Sequence, residues 1–133
     1  MSRIRYKDTK PEIKVRSFFH KHGFRFRLNG KISKRKYIKG ILPGKPDIVL
    51  SQFYTVIFVH GCFWHQHKGC KKSHLPKSNI KYWRDKLEKN VLRDKNVRKK
   101  ITKIGFKVIV IWECKISDEK YLRKLTGKIL DGK

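Results

Sequence analysis

The sequence predicts an α/β fold in which helices flank both faces of a mixed central sheet. Three observations lead to this prediction: short apolar segments of strand length, longer segments with helical spacing of apolar residues, and a long helix that separates the last strand from the earlier ones. With 133 residues and no repeat or interdomain linker, the chain has the size of one unit, and we expect a single domain over residues 1–133.

The first predicted helix spans residues 9–22. Thr9 is a candidate cap, and Glu12 follows it by three residues, as in a capping box. Gly23 would end this helix. Residues 24–28 then alternate apolar and basic side chains, the pattern of a half-buried strand.

A basic loop or hairpin is expected over residues 29–42, where lysines and arginines lie between two glycines. Two short apolar strands are predicted next, at residues 47–50 and 55–59, with a turn at residues 51–54 between them. Residues 60–76 are rich in His, Cys and Gly, which indicates an irregular segment.

The longest predicted helix covers residues 79–104, with Ser78 as its cap and Gly105 as its stop. Residues 106–112 form a continuous apolar run, which is typical of a buried central strand. A last helix near residues 119–130 would pack through Leu122, Leu125 and Ile129.

The composition is strongly basic, with 36 Lys and Arg against 10 acidic residues and a net charge of +26. The basic residues occur along the whole chain, which favours nucleic acid as partner over a membrane anchor. AT-rich coding also inflates lysine, but it does not explain the arginines that alternate with aromatic residues at 24–27. With no long apolar run and no hydrophobic signal core, we expect a cytoplasmic protein without membrane segments.

Residues 60–70 hold two cysteines and three histidines. Cys62, His67 and Cys70 can converge on one ion, and Cys114 can complete a tetrahedral Cys3His zinc site. Four protein ligands would leave no position for water, so such a zinc would be structural. In the alternative, Cys114 is an ordinary buried thiol and the histidines are exposed to solvent.

Candidate catalytic residues occur outside this cluster. Asp47 opens a short strand and His60 ends the next one, so a carboxylate and an imidazole can face one divalent ion, although an Asp beside Pro usually only makes a turn. Asp94 falls on the apolar stripe of the long helix. There it needs a partner, either a structural basic residue or an active-site histidine.

Two adjacent aromatic residues, Phe63 and Trp64, lie inside the proposed zinc loop, and Trp83 lies near the start of the long helix. On a basic surface such rings can stack on or between DNA bases. Alternatively, they close the core around the zinc.

The chain resembles the very-short-patch-repair endonucleases. The resemblance rests on seven segments in the same order, at residues 9–12, 24–28, 42–49, 56–65, 82–83, 89–94 and 110–114. It implies a restriction-endonuclease-like fold and a nick 5′ of the thymine in a T:G mismatch that arises from deaminated 5-methylcytosine. It also implies catalytic magnesium and structural zinc.

The resemblance further implies roles for individual residues. Asp47 would bind magnesium with help from the Val59 carbonyl group. The other catalytic residues would be His65, as base or phosphate-activating group, with His60, Asp94 and Glu12. The residues that enter the duplex would be Phe63, Trp64, Trp83 and, from the other groove, Met1. The segment before the first motif is short, so we expect a reduced N-terminal arm on the minor groove.

The expected partner is double-stranded DNA with a T:G mismatch, bound by a monomer, in association with a cytosine-5 DNA methyltransferase system and mismatch-repair proteins. Two alternatives remain: a related nuclease of the same fold with another target, and a catalytically inactive zinc-containing DNA-binding module. Asp47, His65 and Asp94 distinguish the enzyme from the binding module, which has no need of them.

Overall fold

The structure, a computed structural model, describes residues 10–28, 30–31 and 42–131. Its helices and strands are α1 (Lys10–Lys21), β1 (Arg27–Leu28), β2 (Ile48–Leu50), β3 (Thr55–His60), α2 (Ile80–Ile104), β4 (Lys107–Trp112) and α3 (Glu119–Asp131). Most of the predicted basic loop at residues 29–42 lies outside the described residues, and the candidate cap Thr9 lies wholly outside them.

The four strands form one mixed sheet in the order β1-β2-β3-β4. β2 is antiparallel to both β1 and β3, whereas β3 and β4 are parallel. Parallel neighbours need a long crossover, and α2 provides it between β3 and β4. The predicted mixed sheet is therefore confirmed.

Helices cover both faces of the sheet, as the sequence predicts. On one face, α1 and α3 pack on buried strand residues, namely Ile48, Leu50, Ile57, Ile109 and Ile111. On the other face, Ile101 of α2 packs with Phe106 and the strand residues Val49 and Val56. The expected stripe of α3 is buried at Leu122, Leu125 and Ile129. Because strand side chains alternate between faces, the sheet separates two apolar clusters.

Three predictions about the elements were wrong. β1 has two residues instead of five. Residues 107–112 form an edge strand among the described strands, because β4 pairs only with β3, and its buried positions 109 and 111 alternate with half-buried ones. An apolar run indicates that helices cover the faces of a strand, but it does not indicate how many strands pair with it. The N-cap of α2 is Asn79, in the left-handed conformation and without a side-chain capping bond, in place of Ser78.

The predicted helix ends at glycine are confirmed. Gly105 follows α2 with φ 112°, and its N–H donates to the carbonyl groups of Ile101 and Thr102. Gly23 follows α1 with φ 83°. Among the described residues, no helix has both the length and the apolar character that crossing a bilayer requires.

Gly44 allows the segment before β2 to approach α2 closely. A Cβ atom at this position, where φ is +71°, would lie 2.4 Å from a methyl carbon of Val97. We expect Gly44→Ala to lower the free energy of unfolding by about 2–3 kcal/mol, from backbone strain and overpacking together. Urea denaturation measures this change.

Gly23→Ala is the matched control, because Gly23 has φ +83° and no atom within 4 Å of an added Cβ. It should cost only the backbone strain, about 1 kcal/mol. Equal losses in both variants would show that the contact with Val97 does not limit this position.

Candidate active site and metal centre

Asp47 lies immediately before β2 and is bound to the neighbouring strand. Its Oδ2 accepts a hydrogen bond of 2.6 Å from the backbone N–H of Val59. Burial raises the pKa of Asp47 to about 7, against the lowering effect of this hydrogen bond, and the nearby Glu12 carboxylate raises it further. Without a bound cation, the carboxyl group is therefore only partly ionised at neutral pH.

Glu12 is buried on α1 and only 7% exposed. It therefore does more than cap the helix, which is the role that its spacing from Thr9 indicates. It contributes both a charge effect and a hydrogen bond to the Asp47 carboxyl group. Arg16, one turn later, places Nη2 3.5 Å from Glu12 Oε2. α1 therefore brings a second carboxylate to Asp47, as the family resemblance implies.

The histidine cluster lies at the end of β3. The ring of His60 stacks on the ring of His65 with 3.8 Å between centroids and 7° between planes. Nδ1 of His65 lies 2.6 Å from Oδ2 of Asp94 on α2. The partner that Asp94 needs is therefore a histidine and not a structural lysine or arginine.

These contacts determine which groups carry protons. Burial, followed by the charge of His65, lowers the pKa of His60 to about 4, so His60 is neutral at pH 7. When Nδ1 of His65 donates to Asp94, Nε2 retains a lone pair that can accept a proton. A cavity of about 170 Å³ opens beside the cluster and is also lined by Lys95 and Arg98, whose charges suit a phosphate.

The carboxylates and the histidine cluster are brought to the same strand end by consecutive residues of β3. Val59 binds Asp47 through its N–H, and His60 carries the stacked imidazole. Consecutive strand residues rise by about 3.3 Å and direct their side chains to opposite faces. Among the described residues, no hydrogen bond or ion pair joins Asp47 directly to His65 or Asp94.

The predicted metal ligands converge as the sequence suggests. One ligand atom from each of Cys62, His67, Cys70 and Cys114 lies within 4.8 Å of all the others. Nδ1 of His67 is 3.6 Å from the Cys62 sulfur and 3.5 Å from the Cys114 sulfur. A tetrahedral zinc with Zn–S of about 2.3 Å and Zn–N of about 2.05 Å requires S···N separations of about 3.5–3.6 Å. The cluster therefore fits a tetrahedral metal ion, with His67 bound through Nδ1.

The loop around this cluster is held by residues that local spacing did not single out. The ring of Trp112 stacks on His67 at 4.2 Å, and Oε1 of Glu113 accepts a 3.0 Å hydrogen bond from the Cys62 N–H. Trp112 and Glu113 are the two residues before Cys114, and their closeness to this cysteine was the signal that the sequence offered. Cys114 itself is exposed, so the alternative that it is an ordinary buried thiol is wrong.

The three aromatic residues form one cluster of half-buried rings. The centroids of Phe63, Trp64 and Trp83 lie 5.2–5.9 Å apart. Tyr82, which is 58% exposed, extends the cluster, and Lys86 Nζ lies 5.8 Å from the Trp64 ring. The ring that stacks on His67 is Trp112, which leaves this cluster available for other contacts. Met1 lies outside the described residues.

Comparison with known proteins gives the class of this protein. The chain is 45% identical, over 98% of its own length and 86% of the relative's, to the type II nicking enzyme V.NmeAIP of Neisseria meningitidis serogroup A. It is 44% identical to the type II nicking enzyme V.XorIIP of Xanthomonas oryzae, over 98% of this chain and 89% of the relative. It is a DNA-cleaving hydrolase.

A third relative and a family match make the assignment more specific. The DNA mismatch endonuclease Vsr of Escherichia coli K12 is 33% identical over 94% of this chain and 78% of its own length. Residues 1–72 match the family described as DNA mismatch endonuclease Vsr. The chain belongs to the Vsr family of DNA mismatch endonucleases, which confirms the family resemblance and excludes the catalytically inactive binding module.

Proposed function

We propose that this enzyme nicks one strand of duplex DNA 5′ of the thymine in a T:G mismatch, as a single-domain monomer of restriction-endonuclease-like fold. The observation that carries the proposal is a pair of hydrogen bonds that border the end of β3 from two sides. The Val59 N–H donates to Asp47, and His65 binds Asp94. A cation-binding carboxylate and a base next to it are what phosphodiester hydrolysis requires.

The carboxylates of Asp47 and Glu12, with the carbonyl group of Val59, would hold magnesium. Their fit to a hard divalent cation follows from their proximity and burial, since the charge of Glu12 raises the pKa of Asp47 and a bound cation would offset that charge. When bound, magnesium would neutralise charge on the scissile phosphate and lower the pKa of water.

His65 would accept the proton of the attacking water at Nε2. Asp94 keeps the other ring nitrogen protonated and stabilises the imidazolium that forms. His60, neutral and stacked on His65, restricts rotation of that ring. Of the two histidines, His65 is therefore the base and His60 positions it.

Zinc is the ion proposed for the Cys3His cluster, in a structural role. The four protein ligands would complete its coordination shell and would leave no position for a reacting water. Because Cys114 follows β4 and the other ligands belong to the 62–70 loop, the metal would fix that loop to the sheet. The loop also carries His65 and two of the clustered aromatic residues, so the metal would support the active site indirectly.

Recognition of the mismatch is assigned to the aromatic cluster of Phe63, Trp64 and Trp83, which would stack on or between bases. We expect Trp64→Ala to reduce the preference for T:G over C:G duplexes by about tenfold, since base–aromatic stacking contributes about 1–3 kcal/mol. Competition binding measures this preference. Non-specific binding should be retained because it depends on the net charge of +26.

Tyr54→Leu is a control for loss of an aromatic ring, because Tyr54 is 53% exposed and packs near Phe106, away from the cluster. An unchanged mismatch preference in Trp64→Ala would remove Trp64 from recognition. A preference lost equally in both variants would indicate a general effect of ring removal.

The test of the proposed function uses duplexes that differ only in carrying a T:G mismatch or a C:G pair, each labelled on one strand. Magnesium-dependent nicking 5′ of the mismatched thymine alone is the expected result. Equal cleavage of both duplexes would favour a related nuclease with another target. Because T:G mismatches arise from deaminated 5-methylcytosine, a cytosine-5 DNA methyltransferase would generate the substrate sites, and mismatch-repair proteins would be candidate partners.

A further inference from the structure

Arg16 places a third charged group next to the two carboxylates. It follows Glu12 by one helical turn, and its Nη2 lies 3.5 Å from Glu12 Oε2. Its positive charge favours ionised Asp47, whereas the charge of Glu12 opposes it. The guanidinium therefore compensates both carboxylates when no metal ion is bound.

This pair differs from an ordinary helix ion pair. Arg123 and Glu119 on α3 have the same spacing and a distance of 3.4 Å, but their side chains are 66% and 73% exposed. Exposed pairs of this kind contribute little, because water and salt screen them. The side chains of Arg16 and Glu12 are only 15% and 9% exposed, so their charges act at short range with less screening.

We propose that Arg16 is an internal competitor of the divalent cation, which holds Glu12 in the metal-free enzyme and sets the cation concentration at which the Asp47–Glu12 site fills. This inference rests on the proposed function, because it assumes that these two carboxylates bind the metal. A divalent cation and the guanidinium repel each other, and the guanidinium lies against Glu12 Oε2, one of the two oxygen atoms that could bind the cation. Arg16 therefore weakens metal binding while it stabilises the metal-free site.

The experiment measures Mn²⁺ binding to the zinc-loaded, DNA-free protein from the electron paramagnetic resonance signal of free Mn²⁺. A neighbouring charge within about 4–6 Å changes the affinity of a carboxylate for a proton by tenfold or more. We therefore expect Arg16→Gln to bind Mn²⁺ about tenfold more tightly than the parent. Without Mn²⁺, Arg16→Gln should melt at a lower temperature than the parent. Saturating Mn²⁺ should raise the melting temperature of Arg16→Gln by more than it raises that of the parent.

Arg123→Gln is the matched control, since it breaks an arginine–glutamate pair of the same spacing on the surface of α3. It should leave Mn²⁺ affinity unchanged. Equal or weaker Mn²⁺ binding by Arg16→Gln, or no saturable binding by either protein, would overturn the competitor role. The variant Asp47→Asn tests the metal site separately from the role of Arg16. Loss of Mn²⁺ binding in this variant supports the metal site, whatever the result for Arg16→Gln. Unchanged Mn²⁺ binding would overturn the metal site itself.

Discussion

Replacing Asp47 by asparagine is expected to lower magnesium-dependent nicking by about 1000-fold or more, because the loss of metal-based charge stabilisation costs several kcal/mol in the transition state. The asparagine side chain retains an oxygen that can accept the hydrogen bond from the Val59 N–H, so the strand end should keep its shape. DNA affinity, which depends on the basic surface, should change little. Single-turnover nicking and a binding titration measure the two effects separately.

Asp85→Asn is the control for the charge change, because Asp85 is exposed on α2. It should retain nicking activity. If Asp47→Asn loses DNA binding together with cleavage while Asp85→Asn does not, Asp47 has a folding role and the magnesium assignment is contradicted.

The raised pKa of Asp47 adds a pH dependence to this result. Its carboxyl group must ionise to bind a cation, so at limiting magnesium the parent should lose activity as the pH falls below about 7. The folded state binds this proton more tightly than the unfolded chain does. The free energy of unfolding therefore decreases as the pH rises from about 4 to 7. Asp47→Asn should therefore be more stable than the metal-free parent at pH 8, by about 1–3 kcal/mol.

Replacing Cys114 by serine should remove one zinc per chain and lower the free energy of unfolding by about 3 kcal/mol or more. The expectation is informative because Cys114 is exposed, and exchange of an exposed thiol for a hydroxyl costs little unless the thiol binds a metal. The loss of stability follows from release of the 62–70 loop from the end of β4. Elemental analysis and urea denaturation measure the two quantities.

Chelator treatment provides the control for this variant. The parent protein without zinc should have the stability of Cys114→Ser, and the chelator should have no further effect on the variant. Full zinc content and parental stability in Cys114→Ser would remove Cys114 from the ligand set.

Local patterns predicted most of the fold because they report properties of single elements. Gly23 and Gly105 end α1 and α2 as expected, since both residues adopt positive φ. The number of neighbours of β4 could not be predicted in the same way. An apolar run reflects the helices above and below a strand, and β4 is covered by helices although it lies at the edge of the four described strands.

The convergence of the Cys3His cluster was predictable because three of its residues lie within nine positions, from Cys62 to Cys70, and only Cys114 had to be added from elsewhere. The proximity of Glu12 to Asp47 could not be read from spacing, since it depends on how α1 packs against the sheet. Only the family resemblance connected these two residues. The positions of Arg16 and Trp112 depend on the same tertiary packing. No local pattern marked Arg16, and closeness to Cys114 in the sequence was the signal available for Trp112.

The most direct test of the proposed catalytic centre is a crystal structure of the protein soaked in Mn²⁺, with anomalous scattering used to locate the ion. The expected result is a Mn²⁺ peak within bonding distance, about 2.0–2.3 Å, of the Asp47 carboxylate. The carbonyl oxygen of Val59 should also lie in its coordination shell. A Mn²⁺ ion bound instead between His65 and Asp94, or no ion at Asp47 at a saturating concentration, would contradict the assignment of Asp47 as the ligand of the catalytic metal.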